Sequence, residues 1–328
     1  MTLQHNRIQQ LLTSIKGKRL AVLGDIMIDR YIWGNVSRVS PEAPVPVVEV
    51  ESESTRLGGA ANVANNITSL GANAFLIGVA GNDTHGKELI TILDGQHTAS
   101  DGIIIDPSRP TTVKTRVIAH NQHVVRIDSE EKKDIDDSTQ KKILSVLQNS
   151  IESIDGIIIE DYNKGVVVKE LIHAVIALAK KYNKVITVDP KFNNFFEYKN
   201  VSVFKPNIKE TEEAFGKKLR AEDAVLSAGM LLLERLQADN VLLTRSEKGM
   251  SLFEKNGAVT HIPTRAREVA DVSGAGDTVV ATLTAMLAAG ATVKEAAIIA
   301  NMAGGIVVGE VGIVPIKPEQ LLAETESI

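Results

Sequence analysis

Short apolar runs that scarcely alternate with polar residues recur along this chain: RLAVLGD, ANAFLIGVAG, DGIIIED, KVITVDP, VSVFKPN and NVLLTRS. A strand with one wet face alternates, whereas an unbroken run belongs to a strand covered on both faces. The common way to cover both is a parallel sheet with helices on either side. The intervening segments carry helical spacing. Ile8, Leu11, Leu12 and Ile15 fall on one face of a helix over 6–16. Further helices are expected over GGAANVANNITSLGA, HGKELITILDG, KELIHAVIALAKKY, 221–236, 275–289 and 293–303. Strand followed by helix, repeated, predicts an α/β domain with its ligands at the carboxyl ends of the strands.

Two stretches break the rhythm. Across 31–50, Pro41, Pro44 and Pro46 forbid a helix, and VPVVEV alternates as an edge strand does. Across 112–128, TVKTRVIAHNQHVVRID alternates as well. We read the two as one small sheet, a lid inserted in a single domain spanning 1–328. The acidic run 128–137 reads as a solvated connection, and MSLFEKNGAVTHI as a hairpin turning at Asn256 and Gly257. Aromatic residues are only 4%, so the core must be aliphatic. The net charge of −5 and the lack of a Lys/Arg block argue against nucleic acid. No apolar run approaches the roughly 20 residues that span a bilayer, so no membrane role is expected. With no cysteine, thiolate chemistry and disulfides are excluded, and a cytoplasmic location is expected.

Four constellations carry chemistry. In DVSGAGDTVVATLTAMLAAG the loop Gly274, Ala275 and Gly276 runs into a long helix, so backbone N–H groups and the helix N-terminus converge on an anion site. Asp277 stands in the first turn, where a carboxylate can accept a hydroxyl proton. The helix dipole is expected to hold it ionised. Gly58, Gly59 and Asn62 open another helix, where small residues let backbone approach a ligand or simply pack tightly. Asp25 and Asp29 follow the first strand, placed to grip polyol hydroxyls or to cap. Asn207 and Glu210 bracket Ile208 and Lys209, a spacing that suits Mg²⁺ held through water and equally suits a capping box. The stretch from Gly81 to Lys87 has P-loop spacing, but Glu88 stands where Ser or Thr is needed, so it is rejected. His120 and His123 lack further ligands nearby, and a metal site there is not expected.

Together these pieces resemble the ribokinase (phosphofructokinase B) family across essentially the whole chain. The blocks GGAANVANNITSLGA, with GVAGNDTHG after it, and DVSGAGDTVVATLTAMLAAG carry the resemblance, in that order. GDIMIDRYIWGNVSRVSPEAPVPVVEV, TRSEKGMSLF and NMAGGIVVGEVG are similar to one branch. That branch phosphorylates D-glycero-β-D-manno-heptose 7-phosphate at its anomeric hydroxyl in ADP-heptose synthesis, for the lipopolysaccharide core. Many of its members continue into a nucleotidyltransferase domain marked His-x-Gly-His, a signature absent here.

The resemblance implies a three-layer α/β/α fold with a mostly parallel central sheet and a small β lid. It implies ATP and Mg²⁺, leaves a monovalent cation open, and makes a phosphosugar the substrate. Asp277 matches the general base, and Gly274, Ala275 and Gly276 the anion hole. Asn207 and Glu210 match the segment beside Mg·ATP. Thr244, Arg245, Ser246 and Gly249 match the loop near the nucleotide. Asp25, Asp29, Gly58, Gly59 and Asn62 match the sugar wall. Lys191, Arg38 and Arg116 are candidates for the substrate's phosphate. Lys205 departs from the small or hydroxyl residue expected at its position. Unpaired lid edges further predict a homodimer through the lids. Kinases for another sugar, sugar phosphate or nucleoside, and a non-catalytic sugar-phosphate sensor, are the competing readings.

Overall fold

A computed structural model describes residues 3–120, 122–264 and 269–326. The unbroken apolar runs find their explanation in β1 (Arg19–Gly24), where Leu20 and Val22 enter one apolar cluster and Ala21 and Leu23 another. The remaining strands are β2 (Ile26–Val39), β3 (Pro46–Gly59), β4 (Asn73–Gly81), β5 (Ala99–Asp106), β6 (Thr112–Ala119) and β7 (Gln122–Ser129). After them come β8 (Gly156–Glu160), β9 (Val185–Asp189), β10 (Val203–Phe204), β11 (Asn240–Thr244), β12 (Met250–Glu254) and β13 (Val259–Ile262). The helices are α1 (His5–Ser14), α2 (Ala60–Ser69), α3 (Thr84–Gly95), α4 (Asp137–Ser150) and α5 (Lys169–Lys181). They continue as α6 (Ile208–Phe215), α7 (Glu222–Leu236), α8 (Ala275–Ala288), α9 (Val293–Val307) and α10 (Pro318–Glu326).

The main sheet runs β13-β12-β11-β10-β9-β8-β1-β4-β5. Pairings from β5 through β11 are parallel, and β12 and β13 add the antiparallel hairpin expected around Asn256 and Gly257. Helices α1, α2, α3, α8, α9 and α10 cover one face, and α4, α5 and α7 the other. Burying each Val, Leu or Ile in these layers is worth about 1.5–3 kcal/mol, so the two clusters hold the α/β/α stack together. Among the described residues no helix is long and apolar enough to cross a membrane.

A separate four-stranded sheet runs β3-β2-β6-β7, with β2 antiparallel to β3 and parallel to β6. It differs in extent from the segments the proline pattern marked. β2 starts one residue after Asp25, and each of β2 and β3 is 14 residues long. Pro46 opens β3, and the other two prolines lie in the connection, where no ladder N–H is needed. Nor is the acidic run wholly a connection. Asp136 accepts the Thr139 N–H at 2.8 Å and caps α4, a helix the sequence reading passed over.

Candidate active site

The carboxyl ends of β8 and β9 meet the start of α8 beneath the root of the small sheet. Asp277, in the first turn of α8, is 3% exposed. Its Oδ2 accepts the Asn62 Nδ2 donor at 2.8 Å, and its Oδ1 accepts the Tyr162 hydroxyl at 2.8 Å. Asn62 and Asn66 lie four apart on α2, one above the other on a single face. Asn66 donates to the Asn62 carbonyl at 2.9 Å and accepts the Thr278 hydroxyl at 3.0 Å. This buried polar ladder locks α2 against α8. Gly274 takes φ +76°, and a Cβ there would stand 2.8 Å from Asn62 Nδ2. Position 274 therefore needs glycine twice over, for its backbone and for the close approach of Asn62. Ala275 donates its N–H to the Val272 carbonyl at 3.4 Å, and the N–H groups of Gly276 and Asp277 that follow have no partner inside the helix, the position at which a helix start can take an anion.

The helix dipole, expected to hold Asp277 ionised, is not the only influence on this carboxyl. Burial pushes its carboxyl up to about 6, aided by the Asp189 and Asp29 charges and opposed by the Asn62 and Tyr162 hydrogen bonds. Removal from water outweighs those two hydrogen bonds. The group is still mostly ionised at neutral pH.

Two acids the sequence reading missed stand beside it. Glu160 ends β8 and Asp189 ends β9. Glu160, Asp189 and Asp277 each offer an oxygen within 4.8 Å of the others. Glu160 is fully buried with neither carboxylate oxygen hydrogen-bonded, and burial beside Asp189 and Asp277 raises it well above the ordinary carboxyl range. Orphaned oxygens of this kind fit a hard divalent cation. Mg²⁺ binds oxygens at about 2.1 Å and keeps several waters, which would fill the remaining span. Lys205, 2% exposed, donates to Asp189 at 2.8 Å and accounts for the residue that departs from the family pattern. A Cβ on Gly276 would come within 3.6 Å of Asp189 Oδ2 and 3.8 Å of Lys205 Nζ, so the 274–276 loop, Asp189 and Lys205 adjoin.

Asn207 and Glu210 form a complete capping box on α6. The Asn207 side chain accepts the Glu210 N–H at 2.8 Å, and Glu210 accepts the Asn207 N–H at 2.8 Å. Lys191 pairs with Glu210, and its ammonium lies 5.1 Å from the Tyr162 ring. Burial would lower that ammonium, yet Asp189 and Glu210 hold it charged well above the ordinary range. Ile208 and Lys209 follow in the first turn of α6. Asn207 bridges Thr244, so the start of α6 adjoins the end of β11 and the loop through Ser246. Gly249, at φ +76°, closes that loop against the Ile262 carbonyl.

Several expected contacts are otherwise engaged. Asp25 accepts the N–H groups of Tyr162, Lys164 and Val166 at 2.7, 3.1 and 3.2 Å, so its oxygens hold the loop that carries Tyr162. Asp29 pairs with Arg116. Gly58 makes room for this pair, since a Cβ would lie 2.1 Å from Asp29 Oδ2, and Gly59 approaches the Asp25 carbonyl in the same way. The two glycines admit neighbouring side chain and backbone of this chain. Arg245 turns from the site to Glu222, at 2.6 and 2.7 Å. Arg38 is exposed near the far end of β2, 4.0 Å from Glu49. At about 3.3 Å per residue it lies roughly 30 Å along the strand from Asp29, and it is outside the site. His120 is exposed at the turn after β6, 3.4 Å from the Val36 carbonyl. The only His/Cys/Asp/Glu cluster that could hold a metal among the described residues is the acidic trio.

The family model described as pfkB family carbohydrate kinase matches residues 18–320. "Bifunctional protein HldE" of Helicobacter pylori strain J99 is 45% identical over 295 residues, which is 90% of this chain and 64% of that protein. The protein of the same name from Geobacter sulfurreducens is 41% identical over 98% of this chain and 65% of its own length. The chain thus spans a little under two thirds of the length of these relatives. Among solved structures, phosphofructokinase-2 from Escherichia coli, in complex with substrates and products, superimposes with a TM-score of 0.77 at 18% identity, over 95% of this chain and 99% of that one. Ribokinase from Arabidopsis thaliana, complexed with ribose and ATP, gives 0.75 at 18% identity over the same shares. The fold is ribokinase-like.

Proposed function

The chain belongs to the pfkB family of carbohydrate kinases, and from that premise we propose that it transfers the γ-phosphoryl group of ATP to a sugar hydroxyl, with Asp277 as the base. The observation that carries this reading is the Asp277 carboxylate itself, buried at a helix N-terminus, held by Asn62 and Tyr162, and adjoining Lys205, Glu160 and Asp189. Asp277 accepts the proton of the acceptor hydroxyl as its oxygen attacks the γ-phosphorus. The bond from that phosphorus to the β-bridging oxygen breaks, and ADP departs with the electron pair. The N–H groups that open α8, with Lys205 beside them, oppose the charge that develops on the group in transfer. Glu160 and Asp189 would hold Mg²⁺, with Asn207 and Glu210 shaping the adjoining wall. When bound, Mg²⁺ neutralises charge on the ATP phosphates.

For the acceptor we propose D-glycero-β-D-manno-heptose 7-phosphate, phosphorylated at its anomeric hydroxyl. Support comes from the 41–45% identity to the proteins named HldE and from the sequence blocks similar to the heptose branch. An anomeric hydroxyl is more acidic than an ordinary alcohol, which suits a carboxylate base. ADP release with Mg·ATP tests this against the β-heptose 7-phosphate, its α anomer, fructose 6-phosphate, ribose and adenosine. Turnover confined to the β-heptose phosphate is expected. Turnover with another acceptor keeps the kinase and discards the heptose. Sugar binding with no turnover replaces the enzyme by a sensor.

We also propose a homodimer through the small sheet. Its edge strands β3 and β7 expose Val50, Val125 and Ile127, and unpaired edges with apolar side chains seek partners. Light scattering is expected to give twice the chain mass, and a monomeric mass across working concentrations overturns the dimer.

A further inference from the structure

Asp277 is held by one donor on each oxygen, Asn62 from α2 and Tyr162 from the loop after β8. A single residue, Asp25, ties both donors down. The Ala60 N–H opens α2 and donates to the Asp25 carbonyl at 3.0 Å, two residues before Asn62. The Asp25 side chain takes the other donor's loop. Its Oδ2 accepts the N–H groups of Tyr162 and Lys164, and its Oδ1 accepts that of Val166. The Asp25 N–H donates to the Glu160 carbonyl at 3.1 Å, so the residue is itself fixed by β8.

Little freedom is left to the loop. The Asn163 N–H donates to Asp161 at 2.8 Å, and Asp161 also accepts the Tyr198 hydroxyl at 2.6 Å. The Lys164 carbonyl accepts Arg109 at 2.5 Å, and the Gly165 carbonyl accepts the Ile135 N–H at 2.9 Å. Asn163 and Gly165 take φ +53° and +79°, left-handed turns that let alternate N–H groups converge on one carboxylate. Asp25 is 1% exposed, and three of the roughly four lone-pair positions on its carboxylate are filled. It is closed to a sugar hydroxyl, and the three N–H groups compensate its buried charge. What this rigid loop delivers is the Tyr162 hydroxyl, 2.8 Å from Asp277 Oδ1. With Asn62 alone, the Asp277 carboxylate could turn about its Cβ–Cγ bond. A second donor on the other oxygen fixes its plane, and with it the direction of the lone pairs left for an incoming hydroxyl.

We propose that Tyr162 is a positioning residue that fixes the plane of the Asp277 carboxylate, and that Asp25 positions the same carboxylate at one remove by holding the Tyr162 loop. This rests on the reading of Asp277 as the base of a sugar kinase, and it deepens that reading by naming the two residues that orient the base. Asp25 moves from the sugar wall, where the resemblance put it, to the frame behind Asp277.

Turnover of Mg·ATP and acceptor by single and double variants tests the chain of contacts. Tyr162→Phe keeps the ring and removes the hydroxyl. It should lower kcat by roughly tenfold to a hundredfold, the cost of a reacting group misplaced by about 1 Å, while KM for ATP stays as in the wild type. Asp25→Asn should lower kcat in the same way, because an amide N–H₂ turned toward backbone N–H groups repels the loop. The losses should not multiply. Residues that act as one unit are non-additive, so Asp25→Asn should cost little more in the Tyr162→Phe background, and Tyr162→Phe little more in the Asp277→Asn background. Gly165→Ala, whose methyl would run into the Lys133 carbonyl, displaces the loop from its other side and answers the same question should Asp25→Asn fail to fold. Wild-type kcat in Tyr162→Phe, or losses that multiply fully in the double variants, overturns the positioning roles while a dead Asp277→Asn leaves the base in place. No turnover by the wild type, or full turnover by Asp277→Asn, overturns the base reading and the positioning roles with it.

Discussion

Asp277→Asn is expected to lower kcat by about 10²–10⁴-fold, the range over which a positioned general base acts, with little change in melting temperature. The small stability change follows from two opposed effects. The wild-type carboxyl is held up at about 6 by burial, above its ordinary value. In the window between those values the folded state keeps a proton that the unfolded state has released, so stability falls as pH rises through it. Asparagine, neutral throughout, removes that cost. Against this, Asn62 and the Tyr162 hydroxyl both donate to Asp277, and an amide offers only one oxygen, so one donor loses its partner. Activity has the opposite pH sign to stability. The base works ionised, so kcat/KM of the wild type should rise with pH through about 6 to a plateau, and the residual rate of the variant should lose that limb. A variant with near wild-type turnover would remove Asp277 from the base role. A variant that melts many degrees lower would mean that the carboxylate holds the fold.

Much of this arrangement is legible in the chain. Unbroken apolar strands force a parallel sheet covered on both sides, and DVSGAGD announces both the loop and the first turn of α8. Asn207 followed by Glu210 announces the capping box. These are local signals, set by neighbours within a few residues. The site is not local. Asn62 and Tyr162 reach Asp277 across 215 and 115 residues, and no spacing rule connects them. Glu160 and Asp189 were findable by a simpler question, which acids end apolar strands, because strand ends converge in a parallel sheet. Asp25, directly after β1, is picked out by the same rule, but its oxygens turn to the 162–166 loop. Position on a strand cannot tell an open carboxylate from one already satisfied by backbone. Arg38 and Arg116 both read as lid arginines, and the register of β2 against β3 and β6 separates them. Helix α4 was lost because its acidic approach has the composition of a loop, while a single residue, Asp136, makes it a cap.

Lys205→Met should be the most destabilising single change near the site, at about 3–5 kcal/mol, the cost of breaking a buried ion pair by removing one partner. Lys205 is nearly inaccessible and donates to Asp189 at 2.8 Å. Burial alone would lower its ammonium, but Asp189, Glu210 and Glu160 outweigh burial and hold it raised. Methionine preserves the volume and deletes the charge, leaving Glu160, Asp189 and Asp277 within 4.8 Å of one another without that cation. Urea unfolding reads the loss, and its pH dependence identifies the cause. Glu160 and Asp277 are both raised, so their repulsion is relieved as they take up protons, and the deficit of the variant should shrink from pH 8 toward pH 5. Mg²⁺ supplies a further readout. A cation that binds only the folded state stabilises it by RT ln(1 + c/Kd), which grows as its concentration c exceeds its dissociation constant Kd. If the acidic trio is its seat, Mg²⁺ should recover more stability in Lys205→Met than it adds to the wild type. A variant as stable as the wild type at pH 8 would show that the acids share protons well enough without Lys205. A deficit that neither acid nor Mg²⁺ reduces would trace the loss to packing of the lysine stem rather than to its charge.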